Sequence, residues 1–215
     1  MVFGKIDYLN LLPFHTFMKR FTKSSQQSLS MHYKRGVPSK INSEFLHRRV
    51  DAAFISSIKA KKQKHLNLGI IAKKEVLSVL VVPNTQTLSD NESASSNILA
   101  QVLNIQGQVL IGDKALRHYL EQKPSIDLAQ EWYKRYNKPF VFALLCYHSK
   151  TKTFHSIEKE FLKKPVKSPQ YILHQASQRT QISPKDILHY LTFISYDLDT
   201  KAKQGLKQYY KLTGN

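Results

Sequence analysis

Apolar positions along this chain keep two different rhythms, and the change from one to the other marks its elements. Residues 5–12 read as a first strand closed by Pro13, and 16–21 as a helix behind it. Residues 29–33 alternate apolar and polar and predict a second strand. After Gly36-Val37-Pro38, Ser39 is placed to cap a helix burying Ile41, Phe45 and Leu46. Apolar runs at 51–55, 66–72 and 77–82 predict three more strands. The last is nearly all apolar, as in a strand covered on both faces.

The Ser-, Thr- and Asn-rich stretch 85–96 reads as a link into a second unit. Beyond it the pattern predicts helices at 98–103 (introduced by Ser95 or Ser96), 114–120, 128–136 and 156–163. Strands fall at 109–111 and 139–146. Helices at 171–178, 184–194 and 200–212 finish the chain. The one at 184 has a serine N-cap, a proline at its first position and an acid at its third. Strands alternating with helices predict an α/β chain with a largely parallel sheet. The expected organisation is a first lobe of 1–82 plus about 170–215 and a second lobe of 83–169, with a ligand cleft between them.

Apolar residues make up 41% of the 215, enough for a real core. No apolar run reaches the roughly 20 residues that a membrane-spanning helix needs. The segment Met1-Val2-Phe3-Gly4-Lys5-Ile6-Asp7 has no basic start followed by an apolar stretch, so export is not expected. The single cysteine, Cys146, lies in an apolar run and reads as a buried structural thiol, which fits a reducing cytoplasm. Charge changes the picture most: 33 Lys and Arg stand against 15 Asp and Glu, a net +18. Such an excess suits nucleic acid. The basic residues are scattered, however, with short clusters such as Lys59, Lys61, Lys62 and Lys64, and no nucleic-acid-binding motif accompanies them. A solvated basic surface that attracts a small anion is the expected reading, in a monomer or homodimer without membrane or nucleic-acid partners.

Gly-rich phosphate loops, metal-spaced Cys/His sets and nucleophile elbows are missing, and the nine His are dispersed. What remains is a set of small polar groups after apolar strands, where open α/β sheets bind ligands. Asn10 interrupts an apolar stretch and either steadies a turn or offers its amide to a ligand. Ser56 and Ser57 either cap the next segment or point hydroxyls at a carboxylate. Ser78 lies inside the most apolar strand, as a small core residue or a site residue. Ser93, Ser95 and Ser96 stand where a helix begins, either as plain caps or as an anion site.

Several stretches together resemble the chorismate dehydratase family of the futalosine route to menaquinone. They are Ile6-Asp7-Tyr8-Leu9-Asn10-Leu11-Leu12-Pro13-Phe14, Val50-Asp51-Ala52-Ala53-Phe54-Ile55-Ser56-Ser57 and Val76-Leu77-Ser78-Val79. Leu110-Ile111-Gly112-Asp113-Lys114-Ala115-Leu116, Asp127-Leu128 with Trp132, Lys138-Pro139-Phe140-Val141-Phe142-Ala143 and Ser195-Tyr196-Asp197-Leu198 follow in the family's order. The resemblance implies the two-lobed fold of type II periplasmic binding proteins, used as a hydro-lyase. It implies removal of water from chorismate to give 3-[(1-carboxyvinyl)oxy]benzoate, driven by aromatisation and requiring no redox cofactor or metal. It carries catalytic roles onto Asn10 and Ser78, and substrate contacts onto Ser56, Ser57, Ser95, Ser96 and Asp113. The sequence departs from the family in a compact stretch between Leu103 and Val109, and in lacking a threonine within Glu92-Ser93-Ala94-Ser95-Ser96. Alternatives are a non-catalytic binding protein for a small carboxylate and a nucleic-acid-binding protein. The sister enzyme that releases 1,4-dihydroxy-6-naphthoate is a third, but its Ser-Pro-Cys-Pro-Asn-Asp motif is absent.

Overall fold

The computed structural model describes residues 1–23 and 31–214. Strand β1 (Val2–Lys5) leads through a 3-10 turn, Leu9–Leu11, into α1 (Leu12–Lys23). Then come β2 (His32–Arg35), α2 (Pro38–Leu46), β3 (Ala52–Ser56), the single-turn α3 (Ser57–Ala60) and β4 (His65–Ala72). The next stretch holds β5 (Val79–Val82), α4 (Ala94–Leu103), β6 (Gln108–Ile111), α5 (Gly112–Leu120), β7 (Ile126–Asp127) and α6 (Leu128–Tyr136). Strand β8 (Phe140–Tyr147) is followed by α7 (Thr151–Leu162), α8 (Gln170–Thr180), α9 (Pro184–Leu191), β9 (Ile194–Asp197) and α10 (Thr200–Leu212).

Two sheets result. The larger runs β2-β1-β3-β8-β4-β9 and the smaller β6-β5-β7. The expectation of a largely parallel sheet is corrected. Among the strands described, β1 alone pairs in parallel, with β2 and β3, and the other strand pairings are antiparallel. The cause is the route: β8 comes back from the second sheet and wedges between β3 and β4, running against both. Alternation of strand and helix does not record such a return.

The crossings also differ from the expected link. Strand β5 already belongs to the small sheet, and β8 lies in the middle of the large one, so the chain crosses at 73–78 and 137–139. The polar stretch at 85–96 is instead a loop inside the second lobe, leading into α4. Residues 29 and 30 of the expected second strand lie outside the described residues, and β2 occupies His32–Arg35.

The first strand ends at Lys5, earlier than the apolar run 5–12 suggests. Pro13 sits at the second position of α1, where its missing N–H costs no helical bond. The large core gathers aromatics of the sheet and of two helices on it: Phe14 of α1 meets Phe54 of β3 edge-on at 4.9 Å and Phe161 of α7 at 5.2 Å. Where the lobes join, Trp132 of α6 packs on Phe140 at 5.2 Å, and Phe140 on Tyr209 of α10 at 4.9 Å. Burying such rings stabilises each contact by about 0.5–1.5 kcal/mol beyond their area, so the junction is firmly seated.

Candidate active site

The lobes face each other across a cavity of about 70 Å³. Asn10 from the 3-10 turn and Ser56 from the end of β3 reach it from the first lobe. Ser78 from just before β5 and Ser96 from the first turn of α4 reach it from the second. Apolar walls come from Ile6, Leu11, Phe54, Ile70, Val79 and Phe142. Small-molecule pockets usually hold about 300–1,000 Å³. This one is narrower than that range.

The serine hydroxyls of the cavity, Ser93 among them, are held by neighbouring groups. Asn42 of α2 donates its amide to Ser56 Oγ at 2.8 Å and accepts the Ser56 backbone N–H at 3.0 Å. Ser93, the cap of α4, donates to Ser96 Oγ at 2.8 Å. Ser78 Oγ lies 2.8 Å from the hydroxyl of Tyr190. A hydroxyl that accepts from behind keeps its own proton to donate forward. Ser56 and Ser96 are held in this way, and Ser78 shares a hydrogen bond with Tyr190 in which either hydroxyl can donate. The Asn10 side chain makes no hydrogen bond among the described residues, so its amide is free for a ligand. Its backbone carbonyl is fixed by the Tyr196 hydroxyl at 2.6 Å.

The backbone that presents Ser78 is itself constrained. Leu77 takes a φ of 60°, in the left-handed region that a branched side chain rarely occupies. Asp127 holds it there, accepting the N–H groups of Val76 at 2.9 Å and Leu77 at 2.7 Å. The same carboxylate caps α6 through Ala129 and Gln130. Burial pushes the Asp127 carboxyl upward, and the four N–H groups pull it back in part.

Ser57, Ser95 and Asp113 do not line the cavity, contrary to their expected substrate contacts. Ser57 Oγ meets Ser95 Oγ at 3.0 Å, and Ser95 Oγ also accepts the Ile58 N–H at 3.2 Å. Both side chains are buried, so this pair joins the lobes behind the cavity. The reason is local. Each pair of neighbouring serines starts a helix, and the roughly 100° turn per residue sends the two side chains to different sides. Asp113 accepts the Leu9 N–H at 3.0 Å and pairs with Arg179 of α8 at 3.1 Å. It thereby fastens the second lobe to the turn that carries Asn10. Burial raises its carboxyl, while Leu9 and Arg179 oppose that shift. The helix cap is Ser93 rather than Ser95 or Ser96.

Tyr8 lines the cavity and bridges the two lobes. Its hydroxyl donates to the Glu92 carboxylate across the lobes. Its ring packs against Gly112, where an added Cβ would come within 2.7 Å of the ring and would also strain a φ of +65°. Burial first and Glu92 second push the phenol well above its usual range. Among the described residues Tyr8 is the only titratable side chain lining the cavity. The starts of α2, α4 and α5 also converge on it, through Pro38, Ser96 and Gly112, and their dipoles favour an anion. Charge in the site thus comes from peptide dipoles, not from the basic surface.

Sequence reasoning missed Asn42, Tyr190 and Tyr196. Asn42 had a signal: it lies three and four positions before Phe45 and Leu46, an amide on the face expected to be buried. The tyrosines had none. Cys146 is fully buried and its thiol is pushed far up by burial, as expected of a structural residue. Among the described residues no group of three or more His, Cys, Asp and Glu could hold a metal ion. No helix among them is long and apolar enough to cross a membrane.

Comparison with known proteins adds a second line. A family model described as menaquinone biosynthesis matches residues 1–106 and 92–215. A chorismate dehydratase of Campylobacter jejuni (subsp. jejuni serotype O:23/36, strain 81-176) is 45% identical over 215 residues, spanning 98% of this chain and 96% of its own. A solved protein of Archaeoglobus fulgidus superposes with a TM-score of 0.73 at 10% identity, covering 99% of this chain and 96% of that one. A Candida albicans protein described as having the generic periplasmic-binding-protein fold gives 0.57 at 12% identity, covering 100% and 90%. The two-lobed periplasmic-binding-protein architecture implied by the resemblance is therefore the fold observed.

Proposed function

The chain belongs to the menaquinone-biosynthesis family, and from that premise we propose that it is a chorismate dehydratase whose working surface is the cavity between the lobes. The reaction removes the C3 hydrogen and the C4 hydroxyl of chorismate as water and leaves 3-[(1-carboxyvinyl)oxy]benzoate. The ring becomes aromatic, which supplies the driving force.

One observation carries the placement: Asn10, Ser56, Ser78 and Ser96, from four distant stretches, meet in one cavity as neutral donors. Hydroxyl donors and helix starts suit the two substrate carboxylates. Asn10 is the free amide, suited to hold the departing C4 hydroxyl. The apolar walls match the ring and exclude water when the lobes close. Tyr8 stays protonated and spends its proton on Glu92, so it is no base. The C3 proton then passes to the substrate's own enolpyruvyl carboxylate, which the serines hold in place, and hydroxide leaves from C4 to combine with it as water. Catalysis is by positioning and by stabilising developing charge. The behind-the-wall residues Ser57, Ser95 and Asp113 act by holding the lobes together. The chain works in the cytoplasm, as a monomer or homodimer.

The test is to mix purified protein with chorismate and follow the ultraviolet spectrum and product mass, with and without a chelator. A new aromatic band, a product lighter by one water and the same rate in both samples are expected. Binding of chorismate without its consumption would make the chain a carboxylate-binding protein instead.

A further inference from the structure

A second cavity, of about 550 Å³, opens on the other side of the segment that carries Tyr8. Its size falls within the range of small-molecule sites, whereas that of the cleft falls below it. It lies at one edge of the first lobe, between one face of α1, the ends of β1 and β2, and α8.

Its walls differ in kind from those of the cleft. Lys5, Lys19, Arg35 and Arg179 all line it. Among the described residues Asp7 is the only carboxylate in the lining, shared by Lys5 at 2.9 Å and Arg35 at 3.9 Å. Arg179 is met by Asp113 at 3.1 Å. Lys19 has no carboxylate partner among the described residues and stands 5.4 Å over the ring of Tyr171. Four cations thus face two carboxylates, leaving two positive charges over. Lys5 keeps only 22% of its side chain exposed, an unusual degree of burial for a lysine sharing its one acid with an arginine. The hydroxyls of Thr16 and Thr22 are spent on the carbonyls of Leu12 and Met18, while Tyr33 and Gln175 line the cavity without a side-chain hydrogen bond among the described residues. His15 also lines the cavity. Its Nε2 donates to the Ile6 carbonyl at 2.8 Å, and its buried Nδ1 has no partner.

We propose that this cavity is a second ligand site, separate from the cleft, that takes a small dianion such as a dicarboxylate or a phosphate. Two uncompensated cations converging on one hollow match two negative charges. The wall shared with the cleft is Tyr8, so a bound dianion sits next to the phenol that latches the lobes.

Titration calorimetry at constant ionic strength tests this, with malonate in one arm and inorganic phosphate in the other. The proteins are the wild type, Lys19→Gln/Arg35→Gln, and the cleft variant Ser56→Ala/Ser78→Ala. Binding of at least one anion to the wild type is expected, weakened at least tenfold in Lys19→Gln/Arg35→Gln and within twofold of wild type in the cleft variant. The arm that binds names the source: malonate a dicarboxylate, phosphate a phosphate-bearing ligand. No binding in either arm would overturn the site, as would loss in the cleft variant with retention in the cation variant. Melting temperature and chorismate turnover number, both expected unchanged in Lys19→Gln/Arg35→Gln, show that its fold is intact. If that variant melts early, the single Lys19→Gln replaces it under the same criteria. Failure here leaves the dehydratase reading standing, because that reading is judged on chorismate consumption alone.

Discussion

Two pairs of neighbouring serines, Ser56 with Ser57 and Ser95 with Ser96, are divided between two jobs. Ser56 and Ser96 face the cavity, each steadied by one donor, Asn42 behind the wall and Ser93 within it. Ser57 and Ser95 turn away, bond to each other and tie the lobes. The residues are chemically identical and adjacent, so composition does not separate them. Position relative to a helix start does. The same division runs through the whole site, with Asn10 and Ser78 in the front wall and Asp113, Tyr190 and Tyr196 behind it.

This division makes front and rear substitutions fail differently. Ser78→Ala removes one donor at the reacting molecule and should lower the turnover number about 100-fold, as loss of one preorganised donor does elsewhere. Steady-state kinetics on chorismate checks it, and an unchanged turnover number would move Ser78 out of the front wall. Tyr190→Phe leaves Ser78 in place but frees its hydroxyl to turn. About a tenfold loss in turnover is expected, with the melting temperature little changed. Ser95→Ala should do the reverse. It leaves the Ser57 hydroxyl and the Ile58 N–H without their partner, a cost of about 1–3 kcal/mol in stability. Denaturant unfolding reads that cost, while turnover per folded molecule stays within about twofold. The smallest expected effect is one of pH. Burial and Glu92 hold the Tyr8 phenol protonated above its usual value near 10, so turnover should show no inflection from Tyr8 between about pH 7 and pH 9. A wild-type inflection in that range that Tyr8→Phe abolishes would make Tyr8 a titrating participant.

Much of this was legible in the sequence wherever a local signal fixed it. The helices Leu128–Tyr136 and Thr200–Leu212 match their expected ranges, because Asp127 and Asp199 cap them from the preceding residue. The helix from Pro184 starts as its Ser183 cap and proline require, but ends at Leu191 so that Ile194 can enter the large sheet. Sheet direction was not legible, since it depends on where the chain re-enters. The front wall was found through small polar groups set among apolar ones, as at Asn10 and Ser78. The rear was not, because its bonds join residues far apart in sequence: Ser78 to Tyr190 across 112 positions and Asn10 to Tyr196 across 186. The excess of basic residues pointed to an anion, yet the cleft itself presents none of them in its lining.

The most direct measurement is the Asn10→Ala variant, with its turnover number and its equilibrium affinity for chorismate determined separately. An amide that acts on the departing hydroxyl should lower turnover by about 100-fold or more while affinity changes only a few-fold. Equal weakening of both, or a variant that turns over normally, would contradict a cleft built to stabilise the transition state rather than merely to hold the acid.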